Sequence, residues 1–298
     1  MSLDIEVTDL RLRYGRTSAL EGLSFRLAGG KIYGLIGRNG SGKTSLLSVL
    51  GSFRRQTAGT VRIGGREPFE NESITRQVCL IRESGDILDD HRCGAVLDLA
   101  RRLRPNWDQG YAETLLRRFQ LPTRKYPKKL SRGQRSALGC VLGLASRAPL
   151  TIFDESYLGM DAPSRYAFYE ELLSDYADHP RTIILSTHLI EEFGSLFEEV
   201  VMIDRGRLVL HEETDVLRSR GTAVTGPAEA VDRFVTGRDV LNRRQLGGTR
   251  SATIYGPLDQ AERRRAATDG LHLEPVPLQD LFVHLTADER GTSEETVT

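Results

Sequence analysis

The sequence predicts an α/β fold: a larger domain organised around a parallel sheet buried on both faces, followed by a small α/β appendage. Three observations lead there. The apolar stretch Ile32-Tyr33-Gly34-Leu35-Ile36 runs into a glycine-rich loop and then into an apolar helix start, Leu46-Leu47-Ser48-Val49-Leu50. Leu150-Thr151-Ile152-Phe153 and Thr182-Ile183-Ile184-Leu185 are continuous β-rich runs separated by a helical stretch at about 162–176, the pattern of parallel strands covered on both faces. From Gly221 onward short strand-like and helix-like segments alternate, and no second phosphate-binding loop appears.

In chain order, residues 3–30 alternate in the manner of half-exposed strands, with turns at Tyr14-Gly15 and Gly29-Gly30. After the loop and its helix, Thr60-Val61-Arg62-Ile63 and Val78-Cys79-Leu80-Ile81 read as short strands. Residues 93–103 and 111–119 read as helices punctuated by Pro105 and Pro122, which defines a helical insert at about 84–145. Val200-Val201-Met202-Ile203 and Arg207-Leu208-Val209-Leu210 flank Asp204-Arg205-Gly206, a hairpin turn signal, and the first domain is expected to span 1–218. The second, 219–288, carries strand-like segments at 222–225, 251–255 and 271–276 and helix-like ones at 228–235, 258–267 and 278–285. The polar tail 289–298 is expected to be disordered.

A chain of 298 residues is long enough for one large domain plus a smaller one. Its 41 basic and 41 acidic residues balance, so nothing global points to nucleic acid or anionic lipid as the main partner. Cys79, Cys93 and Cys140 show no paired metal-ligand spacing and suit a reducing compartment. The N-terminus lacks a basic and then apolar signal, and no window approaches the roughly 18 apolar residues of a membrane span. The expectation is a soluble chain whose membrane role requires a partner.

The chemistry-bearing residues begin with Gly37-Arg38-Asn39-Gly40-Ser41-Gly42-Lys43-Thr44, at the strand-to-helix turn. Glycines there let successive backbone amides converge on phosphates beside a helix N-terminus; Lys43 can reach the β/γ oxygens and the Thr44 hydroxyl can ligate Mg²⁺. Leu130-Ser131-Arg132-Gly133-Gln134 opens another helix, with Ser131 placed to cap it; its hydroxyl and the amides after it suit an anion, and equally an ordinary helix cap. Asp154 ends the apolar run 150–153 and Glu155 follows at once. A carboxylate pair at a strand's carboxyl end suits metal chemistry, Asp154 holding Mg²⁺ and Glu155 acting as general base on the attacking water or positioning it, and it also suits caps of the next helix. Asp161 lies shortly after, and His188 closes Ser186-Thr187-His188, where an imidazole can hydrogen-bond the γ-phosphate. The other five histidines are assigned to core or surface.

Taken in order, Gly37 to Thr44, Leu130 to Gln134, Leu150 to Glu155, Leu158-Gly159-Met160-Asp161 and Ser186-Thr187-His188 resemble the nucleotide-binding domain of ATP-binding cassette (ABC) transporters, over about residues 1–215. The Leu-Ser-x-Gly-Gln signature separates this family from other P-loop NTPases. The resemblance implies a P-loop cassette with a β subdomain and a helical insert, plus the C-terminal appendage. It implies ATP and Mg²⁺ as cofactors, and nucleotide contacts from Gly37, Asn39, Gly40, Ser41, Gly42, Lys43, Thr44 and Ser45. Tyr14 matches the aromatic that stacks on adenine, although a tyrosine before a turn also serves packing. Two cassettes would sandwich ATP head to tail, so that Ser131, Gly133 and Gln134 of one face the phosphates held by the other and Asp161 couples the two sites. Glu155 and His188 would be the catalytic pair, with Thr44, Asp154 and Glu83 toward the metal.

Two positions depart from the family pattern: Arg132 stands where the signature usually has Gly, and Glu83 stands where Gln is usual after the strand 78–81. With Glu155 and His188 both present, an active ATPase is expected. The resemblance further implies a separate integral-membrane permease as partner, a second cassette subunit (a homodimer in the simplest case), no nucleic acid, and a cytoplasmic position on the inner face of the membrane. Leu278-Gln279-Asp280-Leu281-Phe282-Val283-His284-Leu285-Thr286 is similar to the ending of drug-export subunits, which suggests efflux. The rival readings are a non-transport cassette acting on ribosome or nucleic acid, against which the neutral charge balance weighs, and a small-molecule phosphotransferase, which has no use for residues 130–134.

Overall fold

A computed structural model describes residues 2–83 and 87–286. The chain divides into two units, residues 1–188 with 196–211 and residues 189–195 with 212 to the C-terminus. This division falls after His211, short of the expected boundary at 218, and assigns the segment 189–195 to the second unit. The expected tail 289–298 lies outside the described residues, as do residues 84–86 at the start of the expected insert.

The first unit opens with strands β1 (Ile5–Tyr14) and β2 (Thr17–Leu27), followed by β3 (Ile32–Ile36), helix α1 (Lys43–Leu50), β4 (Ala58–Ile63), α2 (Glu72–Thr75) and β5 (Val78–Arg82). Sheet order β2-β1-β4 makes an antiparallel layer. Along β1 the buried side chains are Ile5 and Val7, then Leu10 and Leu12. The alternation changes phase because the register shifts between Val7 and Leu10, where Asp9 takes a φ of 46°. Gly59 of β4 crosses that bulge so closely that a Cβ there would stand 2.2 Å from the Asp9 carbonyl oxygen.

Helices α3 (Cys93–Leu103), α4 (Gln109–Arg118) and α5 (Arg132–Ser146) come next, then β6 (Leu150–Asp154), α6 (Ala162–Asp178) and β7 (Thr182–Thr187). After the short α7 (Ile190–Phe193) of the second unit, β8 (Glu199–Asp204) and β9 (Arg207–Glu213) form a hairpin. Its two-residue turn, Arg205-Gly206, has φ of 47° and 75°, the twist-matched geometry for a tight hairpin. The main sheet has order β5-β6-β7-β3-β8-β9, with β5 to β8 parallel. All of β3, β6 and β7 is buried, which is why these strands read as unbroken apolar runs. Phe153 and Phe168 meet edge to face at 5.2 Å, and Gly143 lets α5 approach so closely that a Cβ would lie 2.5 Å from the Phe153 ring.

This order positions the site. Ile36 is level with Thr187, Asp154 with Ser186, and Arg82 with Asp154. The chain leaving the carboxyl ends of four adjacent strands therefore delivers residues 37–44, Glu83, Asp154-Glu155 and His188 to one edge of the sheet, where ligands of open α/β sheets bind.

The second unit continues with α8 (Thr214–Arg220), β10 (Gly221–Pro227), α9 (Ala228–Val235), β11 (Asp239–Leu246), β12 (Thr249–Tyr255), α10 (Gln260–Thr268), β13 (His272–Pro275) and α11 (Leu278–Leu285). The antiparallel order β11-β12-β10-β13 with α9 and α10 as crossovers is a βαββαβ, ferredoxin-like arrangement. Its core joins Val231, Phe234 and Val235 of α9 to Val224, Ala252 and Ile254 of the sheet. Helix α10 is closed by a capping box between Asp259 and Glu262.

Candidate nucleotide site

The loop between β3 and α1 is shaped by glycines that a larger residue could not replace. Gly42, the N-cap of α1, has φ of 106°, and a Cβ on it would meet the Ala19 carbonyl oxygen at 2.8 Å. At Gly37 a Cβ would stand 2.3 Å from Ser41 Oγ and 2.6 Å from the Ile203 carbonyl oxygen. Gly40, by contrast, has open space on that side at φ of 80°, and Asn39 and Gly40 are exposed. A support the sequence did not disclose is the β8–β9 turn: the Gly206 amide donates to the Ser41 carbonyl at 2.8 Å, and the Glu21 amide donates to the Gly206 carbonyl at 2.8 Å. The turn signal at residues 204–206 was legible; its contact with the loop was not.

Lys43 is 5 % exposed, and its ammonium donates to the Gly37 carbonyl at 2.6 Å and lies 3.4 Å from Glu155 Oε1. Glu155 itself takes φ of 51°, a left-handed conformation costly for a side chain with a Cβ and typical of functional turns. Its amide donates to the Ser186 carbonyl at 3.2 Å, and its Oε1 lies 3.3 Å from His188 Nδ1. A single carboxylate thus faces the ammonium on one side and the imidazole on the other. A neutral ring carries one N–H, which either Nδ1 donates toward Glu155 or Nε2 holds for another acceptor.

Asp154 is 4 % exposed, and burial pushes its pKa up, against the opposing pull of the Ser186 and Thr44 hydroxyls and of Lys43. Its Oδ1, like Ser41 Oγ, is buried without a hydrogen-bond partner. An uncompensated buried carboxylate oxygen beside a threonine hydroxyl fits a hard divalent cation. Among the described residues no three His, Cys, Asp or Glu side chains cluster as an all-protein metal site, which suits Mg²⁺ held by one carboxylate, a hydroxyl and substrate phosphates. Ser45 is half-buried in the first turn of α1.

The remaining predicted residues form separate groups. Ser131 caps α5: its hydroxyl accepts from the Gln134 amide at 3.2 Å and Gln134 Oε1 accepts from the Ser131 amide at 3.3 Å. Gly133 lies against the next loop, where a Cβ would be 3.0 Å from the Gly159 carbonyl oxygen. Asp161 caps α6 by accepting from the Ser164 amide at 3.0 Å, and the Ser164 hydroxyl and amide hold its carboxyl below the usual range. Tyr14 ends β1, 40 % exposed, with the Arg54 guanidinium 5.5 Å from its ring centroid. Glu83, expected toward the metal, is hydrogen-bonded by Arg132.

Residues 20–157 match the family model described as ABC transporter. The chain carries an ABC transporter ATP-binding domain. Binding and hydrolysis of ATP are the activity of this domain. The chain resembles "Structure of ATP binding subunit of ABC transporter" at 26 % identity and a TM-score of 0.65, over 72 % of this chain and 91 % of that one. Beyond the ABC domain, the daunorubicin resistance ATP-binding protein DrrA3 of Streptomyces coeruleorubidus is 26 % identical over 97 % of this chain and 98 % of its own length. The methionine import ATP-binding protein MetN of Mesorhizobium japonicum is 28 % identical over 96 % of this chain and 86 % of its own.

Proposed function

We propose that this chain drives efflux: two copies close head to tail on two ATP molecules, and each turnover is coupled to a separate integral-membrane permease at the inner face of the membrane. The observation that carries the export reading is the end-to-end match with the daunorubicin resistance protein, which includes the second unit and leaves almost none of that relative unmatched. The match to the methionine import protein runs over nearly as much of this chain and supports import as the second reading. The balanced charge supports a protein partner and not nucleic acid.

In this reading residues 37–45 cradle the phosphates, Lys43 neutralises the β/γ oxygens, and the exposed face of Tyr14 stacks on adenine. Glu155, fixed by its strained backbone between Lys43 and His188, takes the proton of the attacking water; His188 orients the carboxylate and stands toward the γ-phosphate. Thr44 and Asp154 would hold Mg²⁺, which when bound offsets charge developing between the phosphates. Ser131, Gly133 and Gln134 of one copy would meet the γ-phosphate held by the other, with Asp161 near the junction of the two sites.

The direction is tested by replacing this chain with its Glu155→Gln form in the cell of origin and following a fluorescent anthracycline-type compound together with labelled methionine. Greater retention of the compound with methionine uptake unchanged supports efflux. Unchanged retention with lost methionine uptake overturns it in favour of import.

A further inference from the structure

We propose that Arg132 is a positioning residue for Glu83, and that the two side chains act as one neutral unit at the edge of the nucleotide site. Both positions stood out in the sequence as departures with opposite charge, and the fold brings them together: Arg132 Nη2 donates to Glu83 Oε1. Glu83 is tied to the site by its backbone, since its amide donates to the Asp154 carbonyl at 2.9 Å. Arg132 is the first residue of α5, and its stem lies on Gly159, where a Cβ would stand 2.9 Å from both Arg132 Cγ and the Arg132 carbonyl oxygen. Gly159 belongs to the loop that starts at Glu155. One arginine therefore bridges the start of α5, the loop after β6 and the residue that follows β5.

The charge count gives the bridge its consequence. Asp154 and Glu155 already set two carboxylates against the single ammonium of Lys43. A free carboxylate at Glu83 would add a third negative charge where a polyphosphate anion must arrive; bound to Arg132 it adds none and is turned toward α5. The pair is exposed, with 74 % and 40 % of the two side chains accessible, so it contributes little to fold stability. Its effect falls on the local potential and on where Glu83 points. The inference rests on ATP binding and not on the direction of transport.

The test is equilibrium ATP binding by the full chain, first in EDTA and then with Mg²⁺, with thermal melts and steady-state kinetics alongside. Arg132→Ala is expected to weaken metal-free ATP binding on the order of three- to tenfold, while the melting temperature moves by no more than about 2 °C. Adding Glu83→Gln to Arg132→Ala restores binding, Arg132→Lys retains it, and in Arg132→Ala KM rises more than kcat falls. A double variant as weak as Arg132→Ala would overturn the proposal, because Arg132 would then act on the nucleotide directly. Unchanged binding in Arg132→Ala would overturn it as well.

Discussion

Glu155 shows how a site is assembled from residues whose individual geometry is unfavourable. Its left-handed φ of 51° places the carboxylate between Lys43 and His188, a conformation that persists only because the sheet edge imposes it. Glu155→Gln keeps the shape and the Lys43 contact but removes the carboxylate proposed as the base. Phosphate release should fall by about 10²- to 10⁴-fold while ATP binding, followed by titration, is retained. Asp154 carries a cost of a different kind. Because burial raises its pKa in the folded state, the folded protein binds more protons than the unfolded chain over the interval between the two values. Stability from this group is thus fully present below the unfolded value and is lost as pH rises through the folded one. At neutral pH the carboxylate destabilises the fold, so Asp154→Asn should raise the melting temperature by about 1–3 °C and flatten its decline above pH 4, while abolishing Mg²⁺-dependent hydrolysis. A melting temperature that falls in Asp154→Asn would reject this account. These residues were legible in the sequence because each is defined by its own strand end. The Arg132–Glu83 pair was not, because its members lie 49 positions apart and meet only through the packing of α5 beside β5.

Elements follow the same division between local and tertiary causes. Strands β3, β6 and β7 and helices α3, α9 and α11 were readable from apolar runs and periodicity, since burial on one or both faces dictates their composition. Strand β11 was not: Asp239-Val240-Leu241-Asn242-Arg243-Arg244-Gln245-Leu246 has no strict alternation, and its second half is exposed. It is a strand because β12 pairs with it along its length, and its arginines mark a protected sheet edge. The joint between α5, α6 and β7 was equally hidden. Asp175, 5 % exposed, is ion-paired with Arg181 at 2.7 Å and with Arg147 at 3.1 Å, and Arg147 ends α5 at φ of 41°. Arg181 is itself only 3 % exposed, so removing the carboxylate strands a buried guanidinium. Asp175→Ala should cost about 3–5 kcal/mol in urea unfolding, with ATP affinity at 25 °C nearly unchanged, since the network lies at the far ends of the strands from the phosphate loop.

At the scale of the whole molecule, the grouping of residues is itself an argument about assembly. One chain gathers the phosphate loop, Asp154, Glu155 and His188, while Ser131 and Gln134 satisfy each other at the start of α5. In one chain the signature is a well-capped helix end, and in the proposed head-to-tail pair its Ser131 hydroxyl and α5 amides would acquire a phosphate presented by the other copy. ATP would then favour the closed pair by the contacts its γ-phosphate makes to both copies, contacts that ADP lacks, and a ligand shifts an equilibrium only through such a difference. Blocking hydrolysis should trap that state. The Glu155→Gln chain with Mg-ATP is expected to run as a dimer by size-exclusion light scattering and as a monomer with Mg-ADP. Adding Ser131→Arg, which places bulk and charge at the signature while leaving the phosphate loop intact, should return it to monomer without loss of ATP binding. A dimer that forms equally with ADP, or that survives Ser131→Arg, would mean that the copies meet elsewhere on the surface and that the signature is only a helix cap.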